Sequence, residues 1–249
     1  MYSTSTQPAA GTALRHLSTF NMNLIVTCEH AGNQVPDCYS HLFANIKDVL
    51  ESHRGWDPGA RELATFLAAE FNAPLFVCET TRLLIEPNRS LDNHQLYSEY
   101  SQVLFETDHD LILQQYYLPH RGSVEQLISK LAKPVLHLSI HTFTPIFNGT
   151  VRAVDVGLLF DPARKSESDF CDAFRQNLQD LLPTLNVRMN EPYKGIDDGF
   201  TTYLRTKFGD NQYLGIELEV NQKYIGTEQW ELIAIGFKEV LLDLLKYRD

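Results

Sequence analysis

The sequence predicts an α/β sandwich built around a largely parallel sheet. Runs that read as strands alternate along the chain with stretches that read as helices, the pattern of α/β folds. Leu24-Ile25-Val26-Thr27-Cys28 is apolar on both faces, which suits a central strand covered on both sides. The length of 249 residues suits one large domain over 23–249.

The elements follow in order. Residues 1–22 are rich in Ser, Thr, Ala and Gln, lack acids, and carry Arg15 as the only clear cation before His16. They suit a flexible tail better than an organellar presequence. The first strand begins near Asn23. Asp57-Pro58 then reads as a helix start, with Asp as N-cap and Pro as first helical residue. Ala60, Leu63, Ala64, Leu67 and Phe71 form the apolar stripe that follows. Pro74 to Val77 begins a second strand. Residues 99–118 read as an amphipathic helix stopped by Pro119. Ser123-x-x-Gln126 is a capping-box pattern for a further helix ending before Pro134. Val135 to Ile140 and Val154 to Phe160 read as strands, 167–182 as a helix, and Leu214 to Val220 as a strand. Trp230, Ile233, Phe237, Val240 and Leu244 mark the last helix by spacings of three and four.

Composition narrows the function. The formal net charge is −11, so a nucleic-acid groove, which needs a basic face, is not expected. Nor is an anionic membrane surface. A small anionic substrate needs only one or two local cations. No uncharged apolar stretch approaches the ~20 residues of a membrane span. Cys28, Cys38, Cys78 and Cys171 form no CxxC pair, which with the absence of a signal-like opening suggests reduced thiols in a cytoplasmic protein. Oligomeric state has no signature here.

In open α/β sheets, ligands bind outside the carboxyl ends of the strands. Strand one ends in Cys28-Glu29-His30-Ala31-Gly32-Asn33, the strand from Val135 in His141, and the strand from Leu214 in Glu217-Leu218-Glu219. His137, Ser139 and His141 share one strand face, as do Glu217 and Glu219. His53, Asp57 and the loop Arg82 to Arg89 lie between. Imidazoles plus a carboxylate are the ligands of an open catalytic zinc site, and arginines can grip a substrate carboxylate with a planar fork. Plainer readings stand beside these. His30 and His141 suit surface or capping roles, and His137 an interior one with a backbone partner. Asp57 is explained as an N-cap, Glu217 as a paired strand residue, and Arg82 and Arg89 as salt-bridge partners. Cys28 beside His30 raises a thiol nucleophile, but cysteine is a common buried small hydrophobe and nothing near it reads as an activating third group.

Taken together, the motifs resemble the N-formylglutamate amidohydrolase family. They are Glu-His-Ala-Gly-Asn at 29–33 with Pro36, His53-x-x-Trp-Asp-x-Gly-Ala, Arg82-Leu before Asn88-Arg89-Ser90, and Pro119-His120. Ser139-Ile-His-Thr-Phe-Thr-Pro, Asn190-Glu-Pro-Tyr and Glu219-Val-Asn complete them. Each alone is weak; their shared order over about residues 24–225 is specific. The wider group is similar to zinc carboxypeptidases and aspartoacylases, which implies a three-layer α/β/α sandwich around a mostly parallel mixed sheet, phosphorylase/hydrolase-like. The resemblance implies one Zn2+ held by His30 and His141, Glu219 rather than Glu217 as general base, and Asn88 with Arg89 on the substrate α-carboxylate.

Two departures from the pattern matter. Carboxypeptidases carry a metal Glu three residues after the first His, where this chain has Asn33. Asp57 is therefore taken as the third ligand, with His53 as runner-up or as a residue that orients the site. Pro119-His120-Arg121 replaces the common Pro-Tyr-His, and His120 is placed among substrate-binding residues. Arg82 is expected to stabilise the oxyanion or the substrate side chain, and Glu217 to have a partner that keeps it from perturbing Glu219. The expected activity is zinc-dependent cleavage of the amide of an N-formyl or other N-acyl amino acid. The alternatives are a non-catalytic member that only binds such a ligand and a thiol hydrolase using Cys28.

Overall fold

The computed structural model describes residues 20–132 and 134–245. Its strands are β1 (Asn23–Cys28), β2 (Leu75–Val77), β3 (Val135–Phe143), β4 (Ile146–Phe147), β5 (Thr150–Val151), β6 (Val156–Leu159), β7 (Val187–Met189) and β8 (Tyr213–Asn221). Its α-helices are α1 (Lys47–Leu50), α2 (Ala60–Glu70), α3 (Glu106–Ile112), α4 (Leu118–Lys130), α5 (Lys165–Leu181), α6 (Phe200–Lys207) and α7 (Glu228–Leu244). Six strands form one sheet in the order β2-β1-β3-β8-β6-β7, and β4 and β5 pair as a separate hairpin. All pairings in the large sheet are parallel except β6 with β8. The sheet is therefore mixed and mostly parallel.

Alternation along the central strands builds three layers. Leu136, Leu138 and Ile140 of β3, with Leu214, Ile216, Leu218 and Val220 of β8, point to one face and pack under α2, α5 and α7. Val135 and Tyr213 point to the other and pack with Val124 and Ile128 of α4 and Phe200 and Leu204 of α6. Each such Leu, Ile or Phe contributes about 1.5–3 kcal/mol by leaving water. The second face also carries His137, Ser139 and His141, by the period of two. Polar chemistry thus gathers on the α4/α6 side, toward the carboxyl ends of β1, β3 and β8. A further apolar cluster joins Tyr39, Phe43, Leu83, Leu84, Ile85 and Tyr117. It anchors the loop from Arg82 to Arg89 on packed side chains.

Three sequence expectations change. Asp57 is not the N-cap of α2. That place is Gly59, at φ +82°, with no side-chain cap bond; a Cβ there would meet the Trp230 ring at 2.9 Å. The helix therefore opens two residues later than expected, and the Asp57 carboxylate turns elsewhere. Pro119 does not stop a helix. A π-helical turn over Leu113–Tyr117 runs directly into α4, with Pro119 in its first turn. Proline clashes with the carbonyl four residues back, and a widened turn before it relieves that conflict. Ser123 consequently lies inside α4 rather than capping it, and 99–105 are turns and irregular chain rather than helix. His137 is interior, but its partners are side chains, Thr27 Oγ1 at 2.7 Å and Tyr213 OH at 2.7 Å. Burial holds His137 down at about 4, so this column is neutral.

Most of the proposed tail, 1–19, lies outside the described residues. Phe20 donates its N–H to Leu244 O at 2.7 Å and packs on the main core. No described helix is long and apolar enough to cross a membrane.

Candidate active site

His30 follows β1, His141 lies in β3, and Asp57 sits in the loop before α2. Asp57 N–H donates to His30 O at 3.0 Å, which ties that loop to the strand end. Both imidazoles present Nδ1 to the same carboxylate oxygen, Asp57 Oδ2, at 3.1 Å from His30 and 2.9 Å from His141. All three residues are buried, and their candidate ligand atoms lie within 4.8 Å of one another. Burial alone would raise the Asp57 carboxyl. The imidazoles and the Arg82 guanidinium, 3.3 Å from Oδ1, instead hold it well below the usual carboxylate range.

The outer nitrogens also meet carboxylates. His30 Nε2 donates to Glu86 Oε1 at 2.5 Å. Arg82 Nε donates to the other Glu86 oxygen at 2.7 Å, and Asn88 N–H donates to Oε1 at 3.0 Å. His141 Nε2 lies 2.9 Å from Ser139 Oγ and 3.3 Å from Glu29 Oε2. In the metal-free site the rings donate toward Asp57 Oδ2; with a cation at the centre, Nε2–H would donate outward and each ring would turn its Nδ1 lone pair to the ion. Two imidazoles and one carboxylate, oriented by outer carboxylates, match the donor set of an open zinc site.

Glu219 stands beside His141 in register on the neighbouring strand. It is buried, lines the same cleft, and its Oε2 has no hydrogen-bond partner. Burial raises its carboxyl to about 8; His141 opposes the rise, and Asp57 and Glu217 add to it. An unpartnered buried carboxylate oxygen is costly, and a nearby cation or water is what would satisfy it. Glu217 differs. It accepts a 2.7 Å hydrogen bond from Thr201 Oγ1, so it has a partner as expected, but that bond does not keep its charge from adding to the rise of Glu219.

The cleft measures about 180 Å³, and its lining includes Arg82, Asn88, Arg89 and His53. Asn88 Oδ1 accepts from Phe200 N–H at 2.6 Å, leaving its amide nitrogen to donate. Arg89 Nη1 donates to the carbonyls of Asn88 and Asp198 at 2.8 and 2.9 Å. Among the described residues, no carboxylate lies within ion-pair distance of Arg89, whereas Arg82 is bridged to both Asp57 and Glu86. His53 reaches the lining but does not join the convergent group. His120 is not among the lining residues; its Nε2 lies 3.3 Å from the fully buried Glu29. Asn33 donates to Leu50 O and takes no part. Cys28 is fully buried in the core beneath α2, and burial pushes its thiol up, the opposite of an activated nucleophile.

Glu29, Glu86 and Tyr193, the last of which lines the cleft, were not singled out from the sequence. Each lay inside or beside a quoted motif, and an acid immediately before His30 or two residues before Asn88 was the available signal.

The family described as N-formylglutamate amidohydrolase matches residues 22–226. The solved structure of gene product Atu2144 from Agrobacterium tumefaciens is 28% identical, covers 88% of this chain and 89% of its own, and superposes with a TM-score of 0.76. A succinylglutamate desuccinylase from Chromobacterium violaceum is 13% identical over 93% of this chain and 63% of its own, with a TM-score of 0.43. An aspartoacylase family protein from Mesorhizobium loti is 16% identical over 92% and 60%, with a TM-score of 0.34. No curated protein sequence matches the chain.

Proposed function

The chain belongs to the N-formylglutamate amidohydrolase family, and from that premise we propose that it is a zinc-dependent amidohydrolase acting on an N-formyl or other short N-acyl amino acid. The observation that carries this reading is the meeting of His30 Nδ1, His141 Nδ1 and Asp57 Oδ2, with the unpartnered Glu219 Oε2 in the same cleft. The cleft is smaller than the roughly 300–1,000 Å³ of pockets for drug-sized ligands. That favours an amino acid with a short acyl group.

A divalent cation held by His30, Asp57 and His141 would polarise the acyl oxygen and acidify an attacking water. The chain's own residues supply the rest. Arg89 and the Asn88 amide bind the α-carboxylate, so the scissile carbonyl enters in a fixed register. Arg82, already oriented by Glu86, donates toward the oxygen that gains charge as water adds. Glu219 accepts the proton lost by that water and delivers it to the departing nitrogen as the C–N bond breaks. The products are the carboxylate of the acyl group and the free amino acid. With a cation held by His30, Asp57 and His141, the raised Glu219 carboxyl would be lowered, so that it is ionised when it accepts the proton.

The test is a hydrolysis screen of N-formyl, N-acetyl and N-succinyl amino acids with zinc-loaded and chelator-treated protein. Turnover of at least one class that chelation abolishes and zinc restores is expected. Turnover insensitive to chelation, or tight binding without turnover, would overturn the reading.

A further inference from the structure

Glu29 is a buried acid that the proposed steps leave without a task. It follows β1 directly and is fully buried, as is Ser139. Ser139 Oγ donates to Glu29 Oε2 at 2.6 Å, and His141 Nε2 is 3.3 Å from the same oxygen. His120 Nε2 reaches from α4 to within 3.3 Å of Oε1. Glu29, Ser139 and His120 all stay out of the cleft lining. The carboxylate thus sits behind His141, on the side away from substrate.

The matching acid behind His30 is different. Glu86 is gripped by the Arg82 fork through Oε2, so a permanent cation balances it. Among the described residues, no lysine or arginine lies within 4 Å of Glu29; its neighbours are two imidazoles and a hydroxyl. Burying a carboxylate costs several kcal/mol unless partners repay the lost hydration. At this position the partner that connects to chemistry is His141.

We propose that Glu29 is the positioning residue for His141, with His120 as the strut that holds it from α4. Its carboxylate accepts the His141 Nε2 proton, directly and through Ser139, and so directs the Nδ1 lone pair at the point shared with Asp57. An imidazole that donates to a carboxylate is also a stronger donor at its other nitrogen. His120 spans the sheet and α4, so the helix that packs behind the site helps set the metal-binding geometry. This inference rests on the metal-dependent reading above.

The test measures zinc affinity by competition with a chromophoric chelator, together with the visible spectrum of the cobalt-substituted protein. Glu29→Gln keeps the size but accepts the proton weakly; zinc affinity is expected to fall about 10–100-fold, with an altered cobalt spectrum. His120→Gln is expected to shift both readouts in the same direction by less, and it carries the test if Glu29→Gln does not fold. A purely structural role would lower thermal stability and leave both readouts unchanged in the folded variants, and that result overturns the proposal alone. Failure of the wild-type protein to hold stoichiometric zinc overturns the metal-dependent reading and this inference with it.

Discussion

Gly157 lies directly opposite Glu219 across the antiparallel β6–β8 pair. A Cβ built on Gly157 would stand 3.2 Å from Glu219 Cβ and 2.2 Å from Glu191 O. The glycine is the gap that lets the loop after β7 close over β6 beside the proposed base. Gly157→Ala should therefore destabilise the protein by about 1–3 kcal/mol, the range for overpacking, and depress kcat by displacing Glu219. Denaturant melts and steady-state kinetics check this. Unchanged stability would mean that the Glu191 loop yields freely.

His30→Ala and His141→Ala should each lose stoichiometric zinc, read by elemental analysis of the purified variants. Asp57→Ala should lose it too, because both Nδ1 atoms approach its Oδ2. If Asp57→Ala alone retains zinc, His53, which lines the cleft, takes over as third ligand.

The sequence made the frame legible because its signals were local. The stripe from Ala60 to Phe71 is buried as its spacing implied, and β1, β3 and β8 stand where apolar runs suggested. The carboxyl-end rule led to His30, His141 and the Glu217–Glu219 pair, and the family resemblance singled out Glu219. What failed depends on distant partners. Pro119 looked like a stop, since nothing in the sequence announces a π turn before it. Asp57-Pro58 looked like a cap because its imidazole partners lie 27 and 84 residues away. Glu29 and Glu86 looked like ordinary acids until folding placed them behind the two histidines. Strand β7 and helix α6 are too short for periodicity to separate them from loops.

Arg89→Ala should raise KM strongly for free-acid substrates, while amidated substrates show no further loss. The reason is that Arg89 has main-chain partners but no carboxylate of its own among the described residues. A charge-assisted contact with the substrate carboxylate would fill that vacancy. Paired kinetics on the acid and its amide decide the matter. Equal losses on both would assign Arg89 to holding the loop between Asn88 and Asp198.

In the zinc-free protein Glu219 should contribute a loss of stability as pH rises from the ordinary glutamate range toward 8. Glu219 is raised from 4.5 to about 8 in the fold, so between those values the folded state binds more protons than the unfolded one. By linkage, stability then falls with increasing pH. Glu219→Gln does not titrate. After chelation, its Tm advantage over wild type should grow from pH 5 to pH 8. A constant difference would show that Glu219 is not protonated at neutral pH in the zinc-free site.

Glu219→Gln should keep the fold and the zinc but lose most of kcat. Leu218 and Val220 on either side pack into the core under α7, so the Glu219 side chain is fixed toward the cleft that also holds His30 and His141. Glutamine preserves size but cannot accept a proton, and loss of a general base typically costs ~10²–10⁴ in rate. Zinc content should not change, because Glu219 lies outside the convergent group of His30, Asp57 and His141. Glu217→Gln is the matched control. Its carboxylate is already engaged by Thr201 Oγ1, and a glutamine oxygen can accept the same hydrogen bond, so kcat should fall far less. A dead Glu217 variant beside an active Glu219 variant would reverse the assignment of the base. Near-full activity in both would exclude a carboxylate base on β8, whatever the metal content proves to be.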